Sequence, residues 1–400
     1  MLDVYSQLQF TQLPSVANPK HNRRFNINFC HKIEAEDSWE DFTNNAKITL
    51  PKALRYAGKY GVHDNLKGVN VNIGGFDSDP LFLKGDKVDI ITGYKYRDGN
   101  GNERLQSNKI FTGYISNVGS GTPIELEMED NMWLLKQIPA PTKCFPSTTT
   151  VEDLLRDVID SKVCPPQYKD AVSKLTVNAI TKTTVGQFLT QGETVMQILA
   201  RFRKDYGLEA YFKGNELRIG LEVYLANEAA NHKFTFQKNI IEDELEYQRK
   251  DDLVLSALAT NTIVENTGNQ TKDGQNKTKK TQLQVLVTLK NNVATFKEIK
   301  SGDSVSENTE GQRNKYFFPG AQNISELGKL AEKKLRLLYY DGLTGSFTTF
   351  GLPYVKQGDS VELVDNILPE RNGKYRVKKV DYEGGVGGLR QTISLHMKLL

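Results

Sequence analysis

Two short stretches decide how this chain is read: Leu83–Ile90, "LKGDKVDI", and Val355–Leu363, "VKQGDSVEL". In each, a Gly-Asp turn leads into alternating apolar and polar residues, Val88 and Ile90 in the first, Val361 and Leu363 in the second. Glycine supplies the positive φ that such a turn requires, and the alternation marks a strand with one buried face. The likeness continues outward. After the first phrase come "IFTGYISNV" and "IELEMED", and after the second come "GKYRVKKVD" and "QTISLHMKL". Turn, strand, Gly- or Tyr-bearing strand and closing alternating strand recur in one order, which reads as an internal duplication, the alternative being the same barrel grammar reached twice by convergence.

Working outward, 1–23 is an N-terminal segment and 24–140 is a β domain. Its alternating runs are Phe25–Phe29, Ala46–Leu50 and Gly68–Phe76, with a hairpin turn at Asp98-Gly99-Asn100-Gly101. The texture changes across 141–231. Thr150 and Asp153 open a helix that carries Val151, Leu154, Leu155 and Val158 on one face and must end before Pro165-Pro166. Val195, Ile198, Leu199, Phe202 and Tyr206 mark a second helix with Gly207 as its C-cap, followed by a hairpin on Gly214-Asn215. From 232 to 400 the β pattern returns. It is interrupted by a polar insertion, 265–315, whose first part is expected to be a mobile excursion, and by a helix at 323–342. The fold class expected is β-rich α+β, with two related antiparallel β-barrels flanking a small α/β domain.

Composition narrows the function. Lys plus Arg number 52 against 49 Asp plus Glu, a net charge of +3, so no global field favours nucleic acid or a membrane surface. Cys30, Cys144 and Cys164 lack Cys-x-x-Cys spacing, which fits a reducing cytoplasm and disfavours a disulfide framework or a thiolate metal site. The N-terminus lacks the basic and apolar regions of a signal peptide, and no apolar run is long enough to span a bilayer.

Catalytic patterns are missing. The five histidines, His21, His31, His63, His232 and His396, form no His-Glu-x-x-His or His-x-His motif, and there is no Gly-x-Ser-x-Gly elbow. Cys30 and His31 are neighbours, but adjacent strand residues point to opposite faces. "EAEDSWED" (Glu34–Asp41) and "IEDELE" (Ile241–Glu246) are rich in carboxylates, either a glycosidase pair or solvated strand edges that discourage unwanted pairing. "GGVGGLR" (Gly384–Arg390) precedes a strand where a dinucleotide loop would open a helix, and reads as a β-turn. Lysines in "KDGQNKTKK" lack interleaved aromatics for stacking single strands. No catalytic, cofactor-binding or metal-binding residue is therefore assigned, and no enzymatic activity or cofactor is expected.

The segment "TQGETVMQILARFRKDYGLEAYFKGNELRIG" (Thr190–Gly220) precedes a β region containing "VKQGDSVELVDN" and "NGKYRVKKVDYEGGVGGLRQTISL". This order resembles the baseplate hub proteins of phage tails, of the late control protein D type. The same module looks like the N-terminal part of type VI secretion spike proteins. The resemblance implies two tube-type barrels per subunit and a homotrimeric ring of pseudo-sixfold symmetry. It also implies a tail tube protein on one side, a central spike and other baseplate proteins as partners, and DNA or effector only as transient lumen cargo. The location implied is the virion tail or baseplate of a phage, prophage or other contractile injection device, assembled in the bacterial host cytoplasm without stable membrane insertion. With the chain ending at Leu400, the spike is expected to be a separate protein. The competing classes are a carbohydrate- or cell-surface-binding β module and a cell-wall glycan hydrolase.

Overall fold

Alternating residues become strands whose buried sides meet in shared cores. The computed structural model describes residues 2–50, 81–121, 123–179, 184, 187–206, 208–220, 230–270, 276–300, 312–318, 321 and 323–399. The alternating run at 68–76, His63, Gly207 and the polar stretches 271–275 and 301–311 lie outside the described residues.

The N-terminal half supplies β1 (Leu2–Thr11), β2 (Arg24–Ile27), β3 (Lys32–Ser38), β4 (Asn45–Thr49), β5 (Lys87–Arg97), β6 (Glu103–Val118) and β7 (Glu125–Glu129). The middle contains α1 (Met132–Lys136), β8 (Lys143–Phe145), α2 (Val151–Val158), α3 (Lys169–Val172), β9 (Thr176–Ala179), β10 (Phe188–Thr190), α4 (Val195–Tyr206), β11 (Glu209–Lys213) and β12 (Glu216–Gly220). Thr150 caps α2 by accepting from the Asp153 N–H, and α2 stops at Val158, well before the prolines. Its buried face and that of α4 share a core that includes Leu154, Leu155, Ile198 and Phe202. Gly214, at φ +63°, turns the hairpin of β11 and β12.

The C-terminal half begins with β13 (Asn231–Thr235) and β14 (Ile240–Gln248). A subdomain follows: β15 (Val254–Gln270), β16 (Asn276–Lys290), β17 (Val293–Glu298), β18 (Gln312–Phe317) and α5 (Ile324–Leu338). Four strands in the order β17-β16-β15-β18 carry α5, whose Leu327, Ala331 and Leu335 are buried with Leu255, Val285 and Leu289. The half ends with β19 (Gly342–Phe350), β20 (Ser360–Val364), β21 (Gly373–Gly385) and β22 (Gly388–Leu399).

Two expectations change. Residues 265–270 and 276–280 are not a loose excursion but prolong β15 and β16, with Glu265 opposite Lys279 and Asn266 opposite Thr278. A ladder needs only backbone donors and acceptors, so a segment without apolar residues can still pair when it is nucleated by an apolar hairpin base. Nor are two closed barrels seen among the described residues. Thirteen strands instead form one open sheet, β14-β19-β22-β21-β3-β4-β7-β6-β5-β1-β2, with β13 and β20 attached to the side of β21. The junction is β21 against β3, antiparallel from Lys379–Ser38 to Gly385–Lys32. Across it, buried residues of both halves merge into one core, from Leu8, Ile33 and Ile90 to Phe347, Val361 and Ile393.

Candidate assembly surface

The duplication legible in the sequence is present in the strand order. In the N-terminal half the neighbours run β3-β4-β7-β6-β5, and in the C-terminal half β14-β19-β22-β21-β20. Numbered by appearance within each run of five, both read first, second, fifth, fourth, third, and every neighbouring pair is antiparallel. The subdomain carrying α5 is inserted between the first and second strands of the second copy.

The Gly-Asp turns repeat bond for bond. Gly85 (φ +93°) and Gly358 (φ +81°) occupy the left-handed region. The Gly85 N–H donates to the Ile115 carbonyl and the Ile115 N–H returns to Asp86, while Gly358, Val377 and Asp359 make the same exchange. Asp86 accepts from the N–H groups of Leu83 (2.9 Å) and Leu13 (3.1 Å) and faces His21 Nε2 at 2.7 Å. Asp359 accepts from Lys356 (2.9 Å) and Ala230 (3.2 Å) and faces His232 Nε2 at 3.0 Å. Both carboxylates are occupied by local donors, which makes these His-Asp pairs braces that hold strand entry and not exposed catalytic dyads. Sequence reasoning singled out neither pairing, since each histidine is remote along the chain from its aspartate.

The sheet also builds an acidic face. On the side away from the core, β7 presents Glu125, Glu127 and Glu129, and β3 presents Glu34 and Glu36. Across the junction β21 adds Asp381 and Glu383, and the edge strand β14 adds Glu242, Glu244 and Glu246. Glu36 lies directly opposite Asp381, and Glu34 directly opposite Glu383. The two carboxylate-rich stretches of the sequence are thus counterpart strands of one surface. They do not form a glycosidase pair, because β3 and β14 are separated by β21, β22 and β19. Four strand spacings amount to roughly 19 Å, beyond the roughly 5 to 9.5 Å that glycoside hydrolysis needs.

A cleft of about 680 Å³ lies where the two halves and the middle region meet, lined by Asp37, Asp130, Tyr211, Arg218, Tyr354 and Lys356, among others. Burial pushes the Asp37 carboxyl up to about 6, opposed by the donated N–H of Gln357 at 3.1 Å. Burial likewise pushes Asp130 up to about 7, although it accepts from Met132 (2.9 Å) and Asn44 (3.3 Å). Because Asp130 is raised above its ordinary value near 3.9, its favourable contribution to folding is complete below about pH 4 and is lost as pH rises through about 7. Lowering the pH from 8 to 6 should therefore raise the melting temperature of the wild-type chain, and Asp130→Asn should flatten that dependence. Identical pH slopes for the two proteins would refute the assignment.

The remaining singled-out residues separate. Cys30 is buried, its thiol pushed up to about 11 by burial, while His31 is exposed. His396 stacks edge-on against Trp39 at 5.3 Å, and burial lowers its pKa. "GGVGGLR" forms the turn and strand starts between β21 and β22. Among the described residues no group of three or more His, Cys, Asp or Glu side chains is arranged to hold a metal ion, and no helix is long and apolar enough to cross a membrane.

Solved structures share this fold over nearly its full length. The tail protein from Neisseria meningitidis MC58 superposes with a TM-score of 0.52 at 14% identity, covering 99% of this chain and 96% of that one. The 43 kDa tail protein of prophage MuSo2 from Shewanella oneidensis gives 0.51 at 12% identity, covering 98% of each chain. No protein-family model matches the sequence, and no curated protein matches it.

Proposed function

We propose that this chain is a structural baseplate hub of a phage tail or related contractile injection apparatus. Three copies form a ring in which the duplicated halves present six comparable faces. One side of the ring meets the hexameric tail tube and the other meets a trimeric central spike, while other baseplate proteins surround it and DNA or effector passes through the opening. Each half serves as one β unit of the pair, and the chain carries no enzymatic activity of its own. The observation that supports this reading most is the repeated strand order joined through β21 and β3, because a duplicated unit lets a threefold ring match a sixfold partner. The tail-protein fold agrees with it.

The first experiment is a mass measurement. Mixed with tube and spike proteins, the chain should enter a complex containing three times its 45.1 kDa. A chain that stays monomeric and joins neither partner would refute the ring. Purified protein should not cleave peptidoglycan; cleavage abolished by substituting Glu34, Glu36, Asp37, Glu242, Asp243 or Glu244 would favour the hydrolase reading instead.

A further inference from the structure

We propose that the cleft where the two halves meet the middle region is a binding site for a guanidinium group, with Asp37, Asp130 and the side-chain carbonyl of Gln357 as its acceptors. At about 680 Å³ the cleft falls within the roughly 300 to 1,000 Å³ of small-ligand sites, and its walls include Phe111, Tyr211, Phe212 and Tyr354. These acceptors are what remains once the cleft's own pairs are made. Glu36 is taken by Lys379 at 3.2 Å and Asp359 by His232 at 3.0 Å, while Arg218 is held by Glu216 at 2.8 Å and Lys109 by Asp89 at 3.1 Å. Lys356, whose charge eases the ionisation of Asp37, lies over the Tyr354 ring with Nζ 5.4 Å from its centroid.

Among the described residues neither Asp37 nor Asp130 forms an ion pair. Asp37 accepts from the Gln357 N–H, and Asp130 from those of Met132 and Asn44. Gln357 Oε1 is shut off from solvent and has no hydrogen-bond partner. Buried carboxylates without a counter-charge and a buried acceptor without a donor are both costly, and a cation carrying several N–H groups relieves both. A metal ion is poorly served, because no three His, Cys, Asp or Glu side chains are grouped to hold one among the described residues. A planar guanidinium pairs with carboxylates through forked N–H groups and stacks on aromatic rings. The repeat supplies an internal comparison. Gln357 precedes the second Gly-Asp turn where Lys84 precedes the first, and Lys84 Nζ lies 5.3 Å from the centroid of the Trp133 ring. A lysine at position 357 would bring its own cation to Asp37, whereas glutamine leaves a neutral carbonyl beside it.

The test uses the purified full chain and two capped tripeptides, acetyl-Gly-Arg-Gly-amide and its citrulline counterpart, titrated by ligand-observed NMR. The arginine peptide should bind saturably. Citrulline, similar in shape but neutral, should bind about tenfold more weakly or worse, since hydrogen bonds to charged groups are the stronger ones. Asp37→Asn and Gln357→Lys should each lower affinity for the arginine peptide about tenfold while circular dichroism stays unchanged. Gln357→Leu should lower affinity yet leave the melting temperature unchanged or raised, because it removes a buried acceptor that has no partner; a role in packing alone would not separate the two readouts. Ethylguanidinium distinguishes the sources. Tighter binding of this free cation than of the peptide assigns the site to a small molecule, and equal or tighter binding of the peptide assigns it to an arginine side chain of a neighbouring chain. Absence of saturable binding, equal affinity for the arginine and citrulline peptides, or folded Asp37→Asn and Gln357→Lys chains that bind like the wild type would overturn the assignment. The isolated chain is used, so that failure leaves the hub reading standing.

Discussion

Asp86→Ala is expected to lower folding stability by about 3 to 5 kcal/mol, and Asp359→Ala by only about 1 to 2 kcal/mol, although the two residues make the same bonds. Removing Asp86 strands the N–H groups of Leu13 and Leu83 and the His21 ring together. That pair is almost sealed, with side chains 3% exposed on both partners, so water cannot replace the lost acceptor. The second pair is 15% and 14% exposed, and solvent can reach its freed donors. Denaturant titration of the two variants measures the difference. Equal losses, or a larger loss at Asp359, would mean that burial does not govern the strength of these braces.

The second large effect is expected at Gly385, where the halves join. Its φ of +137° is strained for any L side chain, and a Cβ built there would lie 2.3 Å from the His31 carbonyl oxygen. Gly385→Val should cost about 3 kcal/mol or more, combining backbone strain with overpacking. It should also loosen β3 from β21, seen as faster amide exchange over residues 32–38. Gly387 is the control, because nothing lies within 4 Å of a Cβ built there. Gly387→Ala should stay within about 0.5 kcal/mol of the wild type. If both variants melt together with the wild type, the junction contributes less than its geometry implies.

What was legible in the sequence was local chemistry. Gly85 and Gly358 announced their turns because only glycine takes those angles without cost, and α2, α4 and α5 followed from apolar residues on one helical face. The recurrence of a Gly-Asp turn and three strands in one chain order was legible in the phrases; their places in the sheet were not. Nor was the junction. Glu34 meets Glu383 across a register that no local pattern encodes, and the alternation of β3 is equally satisfied by a closed barrel. The partners of His21 and His232 were hidden for the same reason. The hairpin ends at 265–270 and 276–280 lack apolar residues and so carry no strand signal, whereas backbone pairing continues from the apolar base of β15 and β16. The acidic stretches were visible as charge, but their membership in one surface needed β21 between them.

The most direct test of the hub reading is an electron-microscopic reconstruction of the chain bound to its tube and spike proteins. The account predicts a threefold ring with a central opening and six comparable lobes, built alternately around β3-β4-β7-β6-β5 and β14-β19-β22-β21-β20. A single copy at the tube-spike junction, or three copies whose two halves occupy non-equivalent positions around the axis, would contradict it.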